Sequence, residues 1–289
     1  MFENSFAKIK ILLRLGRYNY PTGAFLLLWP CFWGVFYEIN FDTNFLKILI
    51  LFVVGSFVMR GAGCCINDFF DRDIDRLVKR TTKRPLANKE ISLKEAFYFI
   101  CFQLLIGFLI VIQLNLKAIL FSFIIIPLVI IYPLFKRITY FPQIILGIVF
   151  NWGILIGFLT QNTLLNSGII FLYLGGLFFT VAYDTIYGFQ DIDDDKKIGI
   201  KSLSIKLEKN SKKIIPLIFL TSFVFFVISF FLNENSNIIS KVFSTIVLMI
   251  LFGYQIFIFK KKDSYKIVFD KSVFTGAILA FLIFMQNYL

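Results

Sequence analysis

Residues 60–92 read RGAGCCINDFFDRDIDRLVKRTTKRPLANKEIS. A long apolar run ends inside this stretch, and within nine residues come Asn67, Asp68, Asp71, Asp73 and Asp75. By position 84 there are also six basic residues: Arg72, Arg76, Lys79, Arg80, Lys83 and Arg84. Read as a helix end, Asn67, Asp71 and Asp75 recur at i, i+4 and i+8 and stack on one face, with Asp68 one position round. Like charges so placed repel unless a cation lies among them. Oxygen-only ligands with some freedom suit Mg²⁺, which keeps several waters and shares itself with phosphate oxygens. Asn67, Asp68, Asp71 and Asp75 are therefore candidate metal ligands.

A second acidic cluster lies in YDTIYGFQDIDDDKKIGIKS, residues 183–202. Asp191 and Asp195 repeat the i, i+4 spacing and join the candidate metal ligands. Asp184, two helical turns before Asp191, is expected on roughly the same side. Nine of the chain's 18 acidic residues fall in these two clusters. Two acidic helix ends, each trailed by Lys and Arg, predict a clamp for a diphosphate and its metal. The competing reading is a pair of solvated loops that merely join helices.

Working outward, the flanking sequence decides the fold class. The 289 residues are 58% hydrophobic and 17% charged, with a mean hydropathy of +0.80. Apolar runs of about 20 residues recur, the length that crosses a bilayer as a helix. Continuous rather than alternating hydrophobicity selects helices over a barrel. The expectation is an all-α, polytopic membrane protein with spans at about 21–38, 45–66, 95–113, 116–134, 143–161, 166–187, 214–232, 238–259 and 272–288, nine in all. Residues 1–19 read as a basic, interfacial lead-in helix with Ile9, Leu12, Leu13 and Leu15 among its charges. Pro30 is a candidate kink in the first span. Ser92 with Glu95 three residues on predicts a capping box at the start of the third. Each half carries an Asp-rich loop after an even-numbered span, a hint of an internal repeat too diverged to align.

Basic residues orient the bundle. With the N-terminus cytoplasmic, 26 of the 30 Lys and Arg fall in cytoplasmic segments, as the positive-inside rule requires. The net charge of +12 then reflects topology and not nucleic-acid affinity, and both Asp clusters share the cytoplasmic face. Arg60 is the one basic residue expected mid-membrane, where a charge is costly unless partnered and marks a functional site by default. Its alternative reading is a snorkelling Arg paired with Asp68 or Asp71. In YPLFKRITYFPQ, residues 132–143, Tyr132 and Lys136 are i, i+4 where the apolar run ends.

Several chemistries are excluded. There is no His, and the four Cys (31, 64, 65 and 101) form no C-x-x-C, so zinc and haem ligation lack their ligands. The cysteines are read as buried small apolar residues. A proton acceptor must be Asp, Glu, Tyr or water. The first 19 residues carry Lys8, Lys10, Arg14 and Arg17 and no A-x-A site, so no cleavable signal peptide is expected. With no transit-like extension in view, the expected location is a bacterial inner membrane, multi-pass, with the site facing the cytoplasm.

LLLWPCFW, VMRGAGCCINDFFDRDIDRLVKRTTKRPL, YPLFKR and YDTIYGFQDIDDDKKIGIKS together resemble the UbiA superfamily of intramembrane prenyltransferases, in particular its members that act on 4-hydroxybenzoate. The N-D-x-x-D-x-x-x-D form of the first motif and D-x-x-x-D of the second carry the likeness, which spans nearly the whole chain. The resemblance implies a UbiA-type bundle forming one prenyltransferase domain over 1–289, with Asp-rich cytoplasmic loops at about 67–92 and 188–212. It implies Mg²⁺-dependent transfer of a polyprenyl group from polyprenyl diphosphate to the ring carbon ortho to the hydroxyl, C3, of 4-hydroxybenzoate, a membrane step of ubiquinone biosynthesis. Membrane lipid is the surrounding partner and nucleic acid is not expected to be one.

The same resemblance assigns Asp71, Asp75, Asp191, Asp195 and Lys136 to catalysis. Arg17, Arg80, Arg84 and Tyr132 join the substrate site with Asp184, whose role is less defined. Arg60 is the candidate for the benzoate carboxylate, because a buried anion needs a partner and Arg binds carboxylates bidentately. Asn151 and Tyr183 are further candidate pocket polars. Two alternatives remain open: a sister enzyme prenylating dihydroxynaphthoate, homogentisate or haem, and a membrane transporter. A transporter's acids are expected mid-membrane, between broken helices.

Overall fold

The computed structural model describes residues 2–39, 41–162, 164–261 and 265–288, with side chains from Phe6 onward. Every regular element among them is a helix: α1 Phe2–Leu15, α2 Thr22–Tyr37, α3 Phe45–Asp75, α4 Leu93–Val111, α5 Leu116–Ile124, α6 Ile126–Ile138, α7 Pro142–Gln161, α8 Ser167–Gly188, α9 Ile192–Ile198, α10 Leu203–Leu207, α11 Ser211–Leu232, α12 Ile238–Phe259 and α13 Tyr265–Met285. Eight segments are long and apolar enough to cross a membrane, α5 with α6 and α10 with α11 each counting as one. The protein is a multi-pass membrane protein. The first of the nine expected spans, α2, has only 16 residues, roughly 24 Å of helix, and is short of a hydrocarbon core of about 30 Å.

Three boundaries depart from expectation. α3 does not stop at 66 but runs 31 residues to Asp75, roughly 46 Å, so its acidic end stands beyond the length the bilayer core needs. The expected span over 116–134 is broken at Ile125, where α6 begins with Pro127 in its first turn. Pro fits a first turn because its missing N–H has no intrahelical partner there. α13 starts at Tyr265, seven residues before its apolar run. The capping box at Ser92 and Glu95 forms as expected, and α2 continues helically through Pro30.

The central wall is α2, α7, α8, α11 and α13. α2 and α7 approach so closely that a Cβ on Gly34 would lie 2.0 Å from the Ile154 carbonyl oxygen, and one on Gly157 2.3 Å from that of Cys31. Small residues at such crossings let backbones pack in lipid, where apolar burial drives no association. Behind them Trp33, Phe179, Phe219, Phe226 and Phe252 interlock edge to face or stacked. A smaller cluster of Leu15, Cys65, Leu86, Ile91, Ala96 and Ile100 seats α1 against α3 and α4. Cys31, Cys64 and Cys65 are buried as expected, but Cys101 is exposed. It lies on α4, a peripheral helix whose neighbouring Phe97, Phe102 and Leu105 also face outward, the composition of a lipid-facing surface.

Candidate active site

Asn67, Asp68, Asp71 and Asp75 ride on one continuous helix, so the i, i+4, i+8 face read from their spacing exists as backbone geometry. Asp68, Asp71 and Asp75 are buried, at 1%, 1% and 5% exposure. Carboxylates at that depth need partners, and basic side chains from separate segments supply them. Arg17, from the α1–α2 turn, donates to Asp68 Oδ1 at 2.7 Å. Arg84 donates to Asp68 at 3.1 Å and to both Asp75 oxygens at 2.8 Å. Lys136, from the end of α6, donates to Asp71 Oδ2. Arg17 reaches in from a left-handed backbone conformation, φ 56°, uncommon for a residue with a side chain.

The second cluster is built differently. α8 ends at Gly188, and Asp191 is the N-cap of the separate helix α9. Asp184 and Asp191 therefore do not share one helix face, which corrects the reading of a continuous helix through both. Asp191 and Asp195 keep their i, i+4 relation through the first hydrogen bond of α9, Asp195 N to Asp191 O at 2.9 Å. Arg80 grips Asp191 bidentately, Nε to Oδ1 at 2.8 Å and Nη2 to Oδ2 at 2.5 Å, the fork geometry that suits Arg to carboxylate. The Arg80 guanidinium also donates to the Tyr187 hydroxyl at 3.2 Å and lies 5.4 Å from its ring. Burial opposes the Arg80 charge, but Asp191 outweighs it and holds the guanidinium above its usual range. Burial, then the Asp191 charge, pushes the Asp195 carboxyl up to about 6, against the pull of Lys136 and Arg80.

The two clusters meet. Arg80 and the backbone N–H of Lys79 belong to the first Asp-rich loop, yet bind Asp191 and Asp194 in the second. Lys136 bonds Asp71 and also acts electrostatically on Asp195. Its own carbonyl accepts from Lys201 N at 2.8 Å, fastening the segment after α9 to the end of α6. Among the described residues no group of three or more acids and cysteines converges as a ready metal cage, since the carboxylates turn to Arg and Lys. Asp71 Oδ1 is buried with no hydrogen-bond partner, the Arg137 guanidinium lying 3.9 Å from it.

Deeper along α3, Arg60 makes no ion pair with Asp68 or Asp71, which are taken by Arg17, Arg84 and Lys136. No described residue hydrogen-bonds its guanidinium. It lies 5.4 Å from the Phe150 ring and within electrostatic reach of Tyr132, Tyr183 and Asp184. Tyr132, Asp184 and Arg60 thus gather below the Asp71–Lys136 pair, and the Asp71 charge is felt at Tyr132 as well. Asn151 is fully buried, donating to Gly147 O and Thr180 Oγ1 at 2.9 and 2.8 Å. It shares a small cavity with Tyr183, Trp29 and Trp33. Tyr187 and Arg137, which donates to the Phe70 carbonyl at 3.3 Å, are site residues that the spacing of the acids did not single out. Tyr187 lies one turn before Asp191, and that proximity was the available signal.

A site of this kind carries carboxylate and amide oxygens for a divalent cation, a ring of cations for a polyanion, and one open guanidinium deeper in. The family model for the UbiA prenyltransferase family matches residues 27–278. Over 216 residues the chain is 44% identical to the mitochondrial 4-hydroxybenzoate polyprenyltransferase of Drosophila pseudoobscura pseudoobscura, covering 73% of this chain and 54% of that one. It spans about half the length of the insect relatives it matches. Over 245 residues it is 39% identical to the 4-hydroxybenzoate octaprenyltransferase of Blochmanniella floridana, covering 84% and 85% of the two chains. In fold it is similar to a UbiA homolog from Archaeoglobus fulgidus bound to GPP and Mg²⁺, with a TM-score of 0.71 at 16% identity over 96% of this chain and all of that one. With the family match over most of its length and relatives of this identity, the chain belongs to the UbiA prenyltransferase family.

Proposed function

We propose that this protein is a 4-hydroxybenzoate polyprenyltransferase. It transfers a polyprenyl group from polyprenyl diphosphate to C3 of 4-hydroxybenzoate, ortho to the hydroxyl, in ubiquinone biosynthesis. The observation that carries the reading is the convergence of Arg17, Arg80, Arg84 and Lys136, from three separate segments of the chain, on the two Asp clusters. The names of the fly and Blochmanniella relatives support the acceptor. The whole chain, 1–289, acts as one domain. Its N-terminus and both Asp-rich loops lie on the cytoplasmic face of a bacterial inner membrane, as the distribution of its basic residues favours.

The donor set fits Mg²⁺. Asn67, Asp68, Asp71, Asp75, Asp191 and Asp195 offer only oxygen as the coordinating atom toward a hard cation, and Asp71 Oδ1 is buried with no hydrogen bond, its nearest cation being Arg137 Nη2 at 3.9 Å. Bound by these residues, Mg²⁺ would supply charge that makes diphosphate a better leaving group. Asn67, Asp68, Asp71, Asp75, Asp191 and Asp195 would hold it. Arg17, Arg80, Arg84 and Lys136 exchange their carboxylate partners for diphosphate oxygens when substrate arrives. Cations already in place at the leaving group favour scission of the allylic C–O bond over the ground state. Tyr132, one turn from Lys136, lines the same side.

As diphosphate departs with the electron pair of the C–O bond, the allylic carbon bonds to the ring carbon ortho to the acceptor's hydroxyl, and the ring proton passes to a carboxylate or to water, which restores aromaticity. Arg60 binds the acceptor's carboxylate with its free donors, and Asp184 faces the same space. Burial among lipid-embedded helices keeps water from the allylic cation.

A prenyl-transfer assay on isolated membranes tests the proposal, with polyprenyl diphosphate, labelled 4-hydroxybenzoate, and Mg²⁺ present or withheld. Wild type is expected to form a Mg²⁺-dependent product, and Asp71→Ala and Asp191→Ala to form none. Retention of activity in both variants would sink the two-cluster site. Turnover only with another aromatic acceptor would keep the chemistry and move the protein to a sister branch.

A further inference from the structure

Arg60 belongs to α3, but the space its guanidinium occupies is provided by α2. A Cβ built on Gly23 would lie 2.3 Å from Arg60 Nε, 2.8 Å from Nη2 and 2.9 Å from Cζ. Three atoms of one planar group thus sit where a side chain at position 23 would begin. Gly23 itself is buried. On α7, the ring of Phe150, 9% exposed, lies 5.4 Å from the guanidinium carbon, a cation–π distance. No described residue hydrogen-bonds the guanidinium, so its five N–H donors are placed by shape, the ring contact and the longer-range pull of Asp184, without a hydrogen bond to fix them.

We propose that Gly23 is a specificity-determining position for the acceptor: its missing side chain sets where the Arg60 guanidinium points its donors. This rests on the reading of Arg60 as the partner of the acceptor's carboxylate. The contact is made with the far end of a flexible side chain and not with backbone, so an added methyl group displaces Arg60 more easily than it disturbs α2. Restoring ordinary contact, 3.4 Å or more, moves the guanidinium by about an ångström, and misplacement of that size at a binding group costs up to about a hundredfold. Arg60 lies two turns along α3 from Asn67, away from the cations paired with Asp68, Asp71 and Asp75. The effect is therefore confined to the aromatic substrate.

Steady-state assays on membranes containing Gly23→Ala, Arg60→Ala and the double variant test this. Gly23→Ala is expected to raise KM for 4-hydroxybenzoate at least about tenfold and to leave KM for polyprenyl diphosphate within about twofold of wild type. In the Arg60→Ala background the same methyl group is expected to change the acceptor KM less than about twofold, because the group it displaces is gone. If Arg60→Ala leaves the acceptor KM unchanged, the carboxylate reading fails and takes this inference with it. If Arg60→Ala raises it but Gly23→Ala does not, Gly23 has no such role and the Arg60 reading stands. Equal effects of Gly23→Ala with and without Arg60, or equal shifts in both KM values, would make it a packing residue only. Should Gly23→Ala not accumulate, Phe150→Leu removes the ring contact instead. It is expected to raise the acceptor KM alone, and an unchanged acceptor KM there overturns the inference.

Discussion

The two Asp clusters have the same i, i+4 spacing and opposite construction. The first is the overrun of a membrane helix: α3 simply continues to Asp75, so its carboxylates inherit the rigidity of a long helix. Each of Asp68, Asp71 and Asp75 is buried under an Arg or Lys. The second begins after α8 has ended, with Asp191 as the N-cap of a seven-residue helix. Its Arg80–Asp191 pair is more open, at 39% and 14% side-chain exposure against 21% and 1% for Lys136–Asp71. Identical spacing therefore conceals two kinds of site, one built into the fold and one fastened to it.

Stability separates them most strongly. Lys136→Met leaves the Asp71 carboxylate, at 1% exposure, with only the more distant Arg137 at 3.9 Å, and breaking a buried pair from one side costs about 3–5 kcal/mol. Arg80→Met releases a partly solvated pair, and the expected loss is about 1 kcal/mol or less. Thermal unfolding of the detergent-solubilised variants reads both values. Equal losses would erase the distinction, while both substitutions are expected to abolish prenyl transfer.

Ligand binding sharpens the contrast at a somewhat smaller scale. The carboxylates of the first cluster are already neutralised by Arg17, Arg84 and Lys136, so Mg²⁺ alone is expected to stabilise the protein little. Adding polyprenyl diphosphate with Mg²⁺ gives those cations a second partner. At a hundredfold excess over the dissociation constant, linkage predicts about 2.7 kcal/mol. Full stabilisation by Mg²⁺ alone would mean that the Arg and Lys side chains do not compete for the carboxylates.

What the sequence disclosed follows the same division. The face formed by Asn67, Asp71 and Asp75 was legible because a helix converts spacing into geometry whatever surrounds it. The capping box at Ser92 and most of the spans were legible for the same local reason. The Asp184–Asp191 relation misled, because two turns of spacing mean one face only if the helix is unbroken, and α8 stops at Gly188. The partners were hidden altogether. Arg17 and Asp68 are 51 positions apart and Arg80 and Asp191 are 111, and nothing local couples them. Gly23 gave no signal either: a glycine near a helix start is unremarkable until the side chain occupying its space is seen.

The smallest expected effect tests how the second cluster is fastened. Gly199 caps α9 at φ 78°, its N–H bonded to Asp195 O and Lys196 O, and Ile200 N closes on Asp195 O at 3.0 Å. A Cβ there meets no atom within 4 Å, so Gly199→Ala introduces no clash. The cost is conformational only, about 1–2 kcal/mol for a left-handed residue with a side chain. If the segment can relax, that cost falls on the α9 cap and on the Lys201–Lys136 bond two residues later, leaving α3 and its three buried carboxylates untouched. The expected outcome is a few-fold loss of transfer, with the unfolding temperature lowered less than by Lys136→Met. A loss as large as that of Lys136→Met would show that α9 is integral to the bundle, and the division between a built-in and a fastened cluster would have to be given up.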